Sequence, residues 1–208
     1  MQKRYLIIGL IIIFFICSAG CSSSPPSRPS PTPTPGVVMV SEYESRMVTV
    51  SPSEMALQLS DMNSDYIIKD RSVVIPQEVD RFTRDIGWQE GYFVHFYRID
   101  KDKDDRTNVR QSINIFPLEN INEVFKTEKE DMKSRANVSS TFYEIPFPMV
   151  GDTTIAFREN NASDPYESVV YTVLFTKKNV FEKIIMTGST TDYEALKVIT
   201  QRAAEKIR

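Results

Sequence analysis

The clearest pattern in the chain is the run Trp88 to Asp100. Tyr92, Val94 and Phe96 fall on one face of a period-two element, and Phe93, His95, Tyr97 and Ile99 on the other. Alternation with apolar residues on both sides predicts a strand covered on both faces, at the centre of a sheet. An acidic-basic turn from Lys101 to Arg106 joins it to a second strand, Asn108 to Phe116, as an antiparallel hairpin. Upstream, Val37 to Val50 is apolar but irregular and reads as a lead-in strand. Ser51-Pro52-Ser53-Glu54 is a capping box with Pro at the first helical position, opening a helix that carries Met55, Ala56, Leu57 and Leu59. Met62 to Asp65 is a turn, Tyr66 to Val74 a strand, and Pro76 to Arg84 a helix ended by Gly87.

The second half repeats these signals. Asn120-Ile-Asn-Glu123 is a capping box for a helix to about Ala136, with Ile121, Val124 and Phe125 as its first apolar contacts. Strands follow at Thr141–Ile145, Thr154–Glu159, Ser168–Thr176 and Val180–Thr187, the last two joined by the tight link Lys177-Lys178-Asn179. A closing helix from about Asp192, capped by Thr191, buries Leu196, Ile199, Ala203 and Ile207. Helices and strands in this order predict an α+β domain with an antiparallel β-sheet flanked by helices.

The N-terminus has a different character. Lys3 and Arg4 precede a twelve-residue apolar stretch from Tyr5 to Ile16, and Ser18-Ala19-Gly20-Cys21 ends it. This is the layout of a secretory signal peptide. The small-residue tetrapeptide resembles a lipobox, which implies cleavage before Cys21 and lipid on that residue; Ser18 stands where Leu, Val or Ile is usual. Tyr5 to Gly20 falls short of the roughly twenty residues that span a bilayer, which disfavours an uncleaved anchor; that anchor and simple secretion are the alternatives, and all three readings place the domain outside the cytoplasm. Residues 22–36, SSSPPSRPSPTPTPG, are a Ser/Pro/Thr-rich spacer that favours extended polyproline II. The expected organisation is a signal peptide at 1–20, a lipidated Cys21 and linker at 21–36, and one α+β domain at 37–208. Cys21 is thus the expected lipidation site, and Asn137 and Asn161, each in an N-x-S sequon, are candidate glycosylation sites.

Composition narrows the chemistry. Cys17 and Cys21 are the only cysteines, so the domain has no disulfide, cysteine nucleophile or thiolate metal site. The chain carries a net charge of −3, and its first twenty residues contribute only Lys3 and Arg4, so the exported part is more acidic still. Without a basic cluster, nucleic acid is not an expected partner. His95 is the single histidine, and no G-x-S-x-G elbow accompanies it, so it reads as a packed or hydrogen-bonded strand residue. Asp100, Asp102 and Asp104 have a calcium-loop spacing, but Asp105 and Gln111 stand where Gly and Glu are needed, and Lys101, Lys103 and Arg106 intervene. No metal and no cofactor is expected. Gly151-Asp152 reads as a turn in which Gly supplies a positive φ. The aromatics of residues 88–97 read as core, with a carbohydrate or peptide platform as the alternative.

The element order resembles that of the PsbP/Mog1-like proteins, and implies an antiparallel sheet with helices on both faces. The combination of signal, Thr/Pro spacer, sequons and acidic domain resembles the methanogen-type archaeal surface lipoproteins, as do Leu57-Gln-Leu-Ser-Asp61, Gly91-Tyr92 and Gly151-Asp152. Neither resemblance implies a catalytic residue. The expectation is a membrane-anchored lipoprotein on the extracellular face, binding or scaffolding an envelope protein or glycan without catalysis. The alternative is an extracellular hydrolase using a carboxylate pair, which a deep cleft with two close, unpaired carboxylates would reveal.

Overall fold

The computed structural model describes residues 42–63, 65–100, 105–160, 169–188 and 193–208. Residues 40–208 form one compact unit. Cys21, the spacer, Asn161, Thr191 and the loop acids Asp102 and Asp104 lie outside the described residues. Among the described residues no helix is long and apolar enough to cross a membrane.

Among the described residues seven strands form one antiparallel sheet: β1 Ile67–Val74, β2 Glu90–Asp100, β3 Asp105–Ile115, β4 Phe142–Ile145, β5 Thr153–Asn160, β6 Val169–Lys177 and β7 Val180–Gly188. Their order across the sheet is β1-β2-β3-β7-β6-β5-β4. The helices are α1 Glu42–Ser45, α2 Pro52–Met55, α3 Arg81–Asp85, α4 Ile121–Val138 and α5 Tyr193–Lys206. A 3-10 turn, Leu59–Asp61, follows α2.

The sheet carries an apolar layer on each face. One cluster joins Val94, Phe96, Val109, Ile113, Val173 and Ile184 of the sheet to Met55, Ala56 and Leu57 after α2 and to Leu196, Ile199, Ala203 and Ile207 of the α5 segment. The other joins Ile155, Phe157, Leu174 and Phe181 to Ile121, Val124, Phe125 and Met132 of α4. These α4 and α5 positions are spaced three and four apart, the stripe that a helix lays on a sheet.

Several expectations change. The strand beginning near Trp88 is second from the edge, and β7 holds the centre. α4 packs on β4, β6 and β7, so it does not cover β2. The second face of β2 therefore leaves Phe93 and Tyr97 partly exposed, which is why both its faces can be apolar without central placement. α2 packs on β2 and β3 from the other face. The expected lead-in strand before residue 50 is not formed over residues 42–50; Glu42–Ser45 make one helical turn instead, with Glu42 and Glu44 suited to a helix start. The helix expected from Pro76 begins at Arg81, where Asp80 caps it by accepting from the Thr83 amide at 2.9 Å. Asn120 precedes α4 but makes no side-chain cap; its Nδ2 donates to the Ile86 carbonyl at 2.6 Å and ties α4 to the turn after α3. Gly87 does adopt a left-handed φ of 96°. Gly151 does not, and its need is space: a Cβ there would meet the Thr176 carbonyl oxygen at 2.2 Å.

Candidate functional site

A cleft opens between the 3-10 turn, the start of β1 and α5. Its volume is about 320 Å³, and its walls include Asp61, Tyr66, Arg98, Glu194 and Arg202 over an apolar floor at Met186 and Ile199. The α5 stripe fixes this arrangement. With Leu196, Ile199 and Ala203 buried, Val198 and Arg202, four residues apart, line the cleft from the helix flank.

Each charged side chain of the cleft has a defined partner. Asp61 accepts from the Gln58 amide at 2.7 Å and pairs with Lys206 at 2.9 Å. Arg202 donates to the Asp61 carbonyl oxygen, bridging α5 to the 3-10 turn. Glu194 pairs with Lys197 at 2.6 Å. Arg98 donates to Thr107 Oγ1 at 3.1 Å and lies 5.4 Å from the Tyr66 ring centroid. A carboxylate that works as a general acid or base must be free to exchange its proton with a substrate. Here Asp61 is held by Lys206 in a largely buried pair, whereas Glu194, 74% exposed, makes a surface pair with Lys197.

A second, shallower groove of about 310 Å³ lies on the other flank of the α5 N-terminus, lined by Tyr143, Ile145, Pro146, Arg158, Tyr171 and Tyr193. The Tyr193 hydroxyl donates to the Pro146 carbonyl oxygen. Tyr171 lies 5.8 Å from Tyr193, and Arg158 lies 5.6 Å from the Tyr171 ring. These aromatics come from β4, β6 and α5, so sequence distance hid them.

The residues singled out in the sequence disperse. His95 is buried on the β2 face opposite the cleft-forming layer, with Nε2 at 2.8 Å from Asn108 Oδ1. Burial lowers its pKa, with Arg110 and Lys69 acting in the same direction, so it stands as a neutral strand residue. Asn137 is exposed in the last turn of α4. Asp152 secures the β6–β7 turn by accepting from the Lys178 amide at 2.8 Å. Among the described residues no group of His, Cys, Asp and Glu is arranged to hold a metal ion.

Sequence reasoning missed a buried polar relay between the segment after α2 and the sheet. Gln111 Oε1 accepts from the Leu57 amide at 2.8 Å, and Gln111 Nε2 donates to Glu182 Oε2 at 3.0 Å. Gln111 and Glu182 are both fully buried, and Glu182 Oε1 has no hydrogen-bond partner. Loss of hydration pushes the Glu182 carboxyl up to about 8, against smaller opposing effects of Gln111 and Lys177. Alternation does contain the clue. Gln111 stands between Val109 and Ile113, and Glu182 between Val180 and Ile184, all on one sheet face.

No protein-family model matches the chain, and no curated protein does. Among solved structures, the extracellular domain of PknH from Mycobacterium tuberculosis is similar at a TM-score of 0.57 and 12% identity, over 77% of this chain and 98% of that one. The Rv0999 ortholog from Mycobacterium smegmatis matches at a TM-score of 0.41 and 9% identity, over 76% of this chain and 96% of that one, too distant to carry an argument. What the first likeness shows is a shared α+β fold built on an antiparallel sheet; it lends no support to the finer likeness to PsbP/Mog1-like proteins or to an archaeal origin.

Proposed function

We propose that this protein is a membrane-anchored extracytoplasmic module that binds a component of the cell envelope, a protein or a glycan, in the cleft beside α5, without catalysis. The observation that carries the reading is the state of the cleft carboxylates. Asp61 and Glu194 are each paired to a lysine, while Arg98, Arg202 and Tyr66 line the opening. Such a lining suits recognition of polar groups over an apolar floor. The carboxylate-pair hydrolase finds no support in this geometry. The acidic charge of the exported chain favours a partner other than nucleic acid.

The placement rests on the N-terminal pattern, and the fold shared with a domain described as extracellular supports it. The likenesses to archaeal surface lipoproteins and to the PsbP/Mog1 fold rest on the sequence features alone. Cys21 is the attachment point in this reading. Cys21→Ser leaves the protein either released or as an unprocessed precursor, seen by intact mass and by detergent partition of cell fractions. Unchanged mass together with unchanged membrane partition in the variant would remove the anchor from the account. Binding in the cleft is read separately, by retention of the 40–208 unit on isolated envelopes and its loss on Arg202→Glu.

A further inference from the structure

Residues 51–62 form a strap over one end of the sheet. The strap contains α2 and the 3-10 turn, and its backbone hydrogen bonds are local, such as Glu54 N to Ser51 O and Met62 N to Leu59 O. It joins no strand ladder. It is held by the burial of Met55, Ala56, Leu57 and Met62, by the Leu57 amide on Gln111, and at its far end by Arg202 and Lys206 of α5 on Asp61. Its far end carries Asp61, one wall of the cleft.

We propose that the strap is a proton-linked latch: it stays docked while Glu182 holds its proton, and loss of that proton releases the strap and with it the Asp61 wall of the cleft. The geometry is a continuous relay from the strap backbone through Gln111 to Glu182, ending in a buried oxygen with no partner. An ionised carboxylate in that position has lost its water and gained one amide hydrogen bond, which does not compensate.

The positive charge that acts on it, that of Lys177, favours the ionised form but does not outweigh burial. From β6, Lys177 acts on Glu182, but its Nζ donates to the Ala204 carbonyl at 2.7 Å. β3 presents Gln111 and Ile113. The charged groups of the strap are occupied, Glu54 by the Ser51 amide and Asp61 by Lys206, which is also the cation of the last turn of α5. Rehydration of Glu182 therefore needs an opening. The strap is linked to Glu182 through Gln111 and can move without breaking a ladder, whereas β3, β6 and β7 are paired along their lengths.

The sign follows from the raised carboxyl. Docked, it keeps its proton up to about 8 against an ordinary value of 4.5, so opening is most suppressed at acid pH and grows between those limits. The role of the cleft rests on the binding reading above, but the latch is tested without any ligand. Amide exchange of the 40–208 unit is followed by NMR between pH 5 and 8. Hydroxide catalysis alone raises exchange about tenfold per pH unit, and linkage adds up to about another tenfold for an opening that exposes Glu182. The Leu57 amide is expected to show that combined slope in the wild type and the single tenfold slope in Glu182→Gln. Glu182→Met, also neutral at every pH, serves if the Gln variant does not fold. At each pH Leu57 exchanges faster than amides of β6 and β7 such as Val173 and Ile184. The latch is overturned by equal Leu57 slopes in the wild type and the neutral variants. It is equally overturned by Leu57 exchange no faster than that of Val173 and Ile184, which would report global unfolding.

Discussion

Glu182→Gln is expected to stabilise the domain at neutral pH and to flatten its pH profile. The wild-type carboxyl is fully buried and held to about 8, against an ordinary value of 4.5. Between those values the folded state binds a proton that the unfolded state has lost. Stability is therefore complete below pH 4.5 and declines as pH rises toward 8. At 1.36 kcal/mol per pH unit the loss reaches up to about 3 kcal/mol at pH 7. Gln keeps an acceptor for Gln111 Nε2 and has no proton to lose, so the variant escapes the decline. Urea denaturation at pH 4.5 and at pH 7 checks this. The two proteins should be close in stability at the lower pH and should separate at the higher one. Parallel profiles would mean that Glu182 does not set the alkaline side of the curve.

Phe96→Ala carries the largest expected loss. Phe96 is 0% exposed, pairs across the sheet with Ile68 and Val109, and lies in the layer that the strap and α5 cover. Removing a buried aromatic ring typically costs about 3–5 kcal/mol against a total stability of roughly 5–15 kcal/mol. Its substitution should unfold the domain or lower its melting temperature severely. Phe82→Ala is the matched control, because Phe82 in α3 is 49% exposed and should cost little. Thermal denaturation of both variants beside the wild type decides it. A Phe96 variant that melts with the control would place the ring outside the core.

The elements were legible because most of their signals are local. Asp80, Gly87 and the Ser51-Pro52 start act through bonds and torsions within a few residues, though Asp80 won over Pro76 as the start of α3. Strands β5 to β7 likewise follow runs of β-branched and aromatic residues. Sheet order was not legible, since it depends on which distant edges meet. β3 pairs with β7 rather than with a neighbour in sequence beyond β2, and that moves β2 away from the centre. The strap escaped for a related reason. Ala56 and Leu57 are buried just past α2, where the backbone turns extended at Ala56, with no period to announce it. The cleft draws on the 3-10 turn, β2, β7 and α5, so its charged partners become neighbours only in the fold.

Co-sedimentation of the 40–208 unit with isolated envelopes of its host, with the supernatant analysed for released fragments, tests the binding reading most directly. The account predicts that the unit is retained, that no soluble fragment appears, and that Arg202→Glu lowers retention by about tenfold or more, compared at a temperature where thermal denaturation shows the variant folded, because Arg202 also bridges α5 to the 3-10 turn. Fragments released by the wild type and abolished by Asp61→Asn or Glu194→Gln would contradict it in favour of a hydrolase. Retention indifferent to Arg202→Glu would take the binding site away from the cleft.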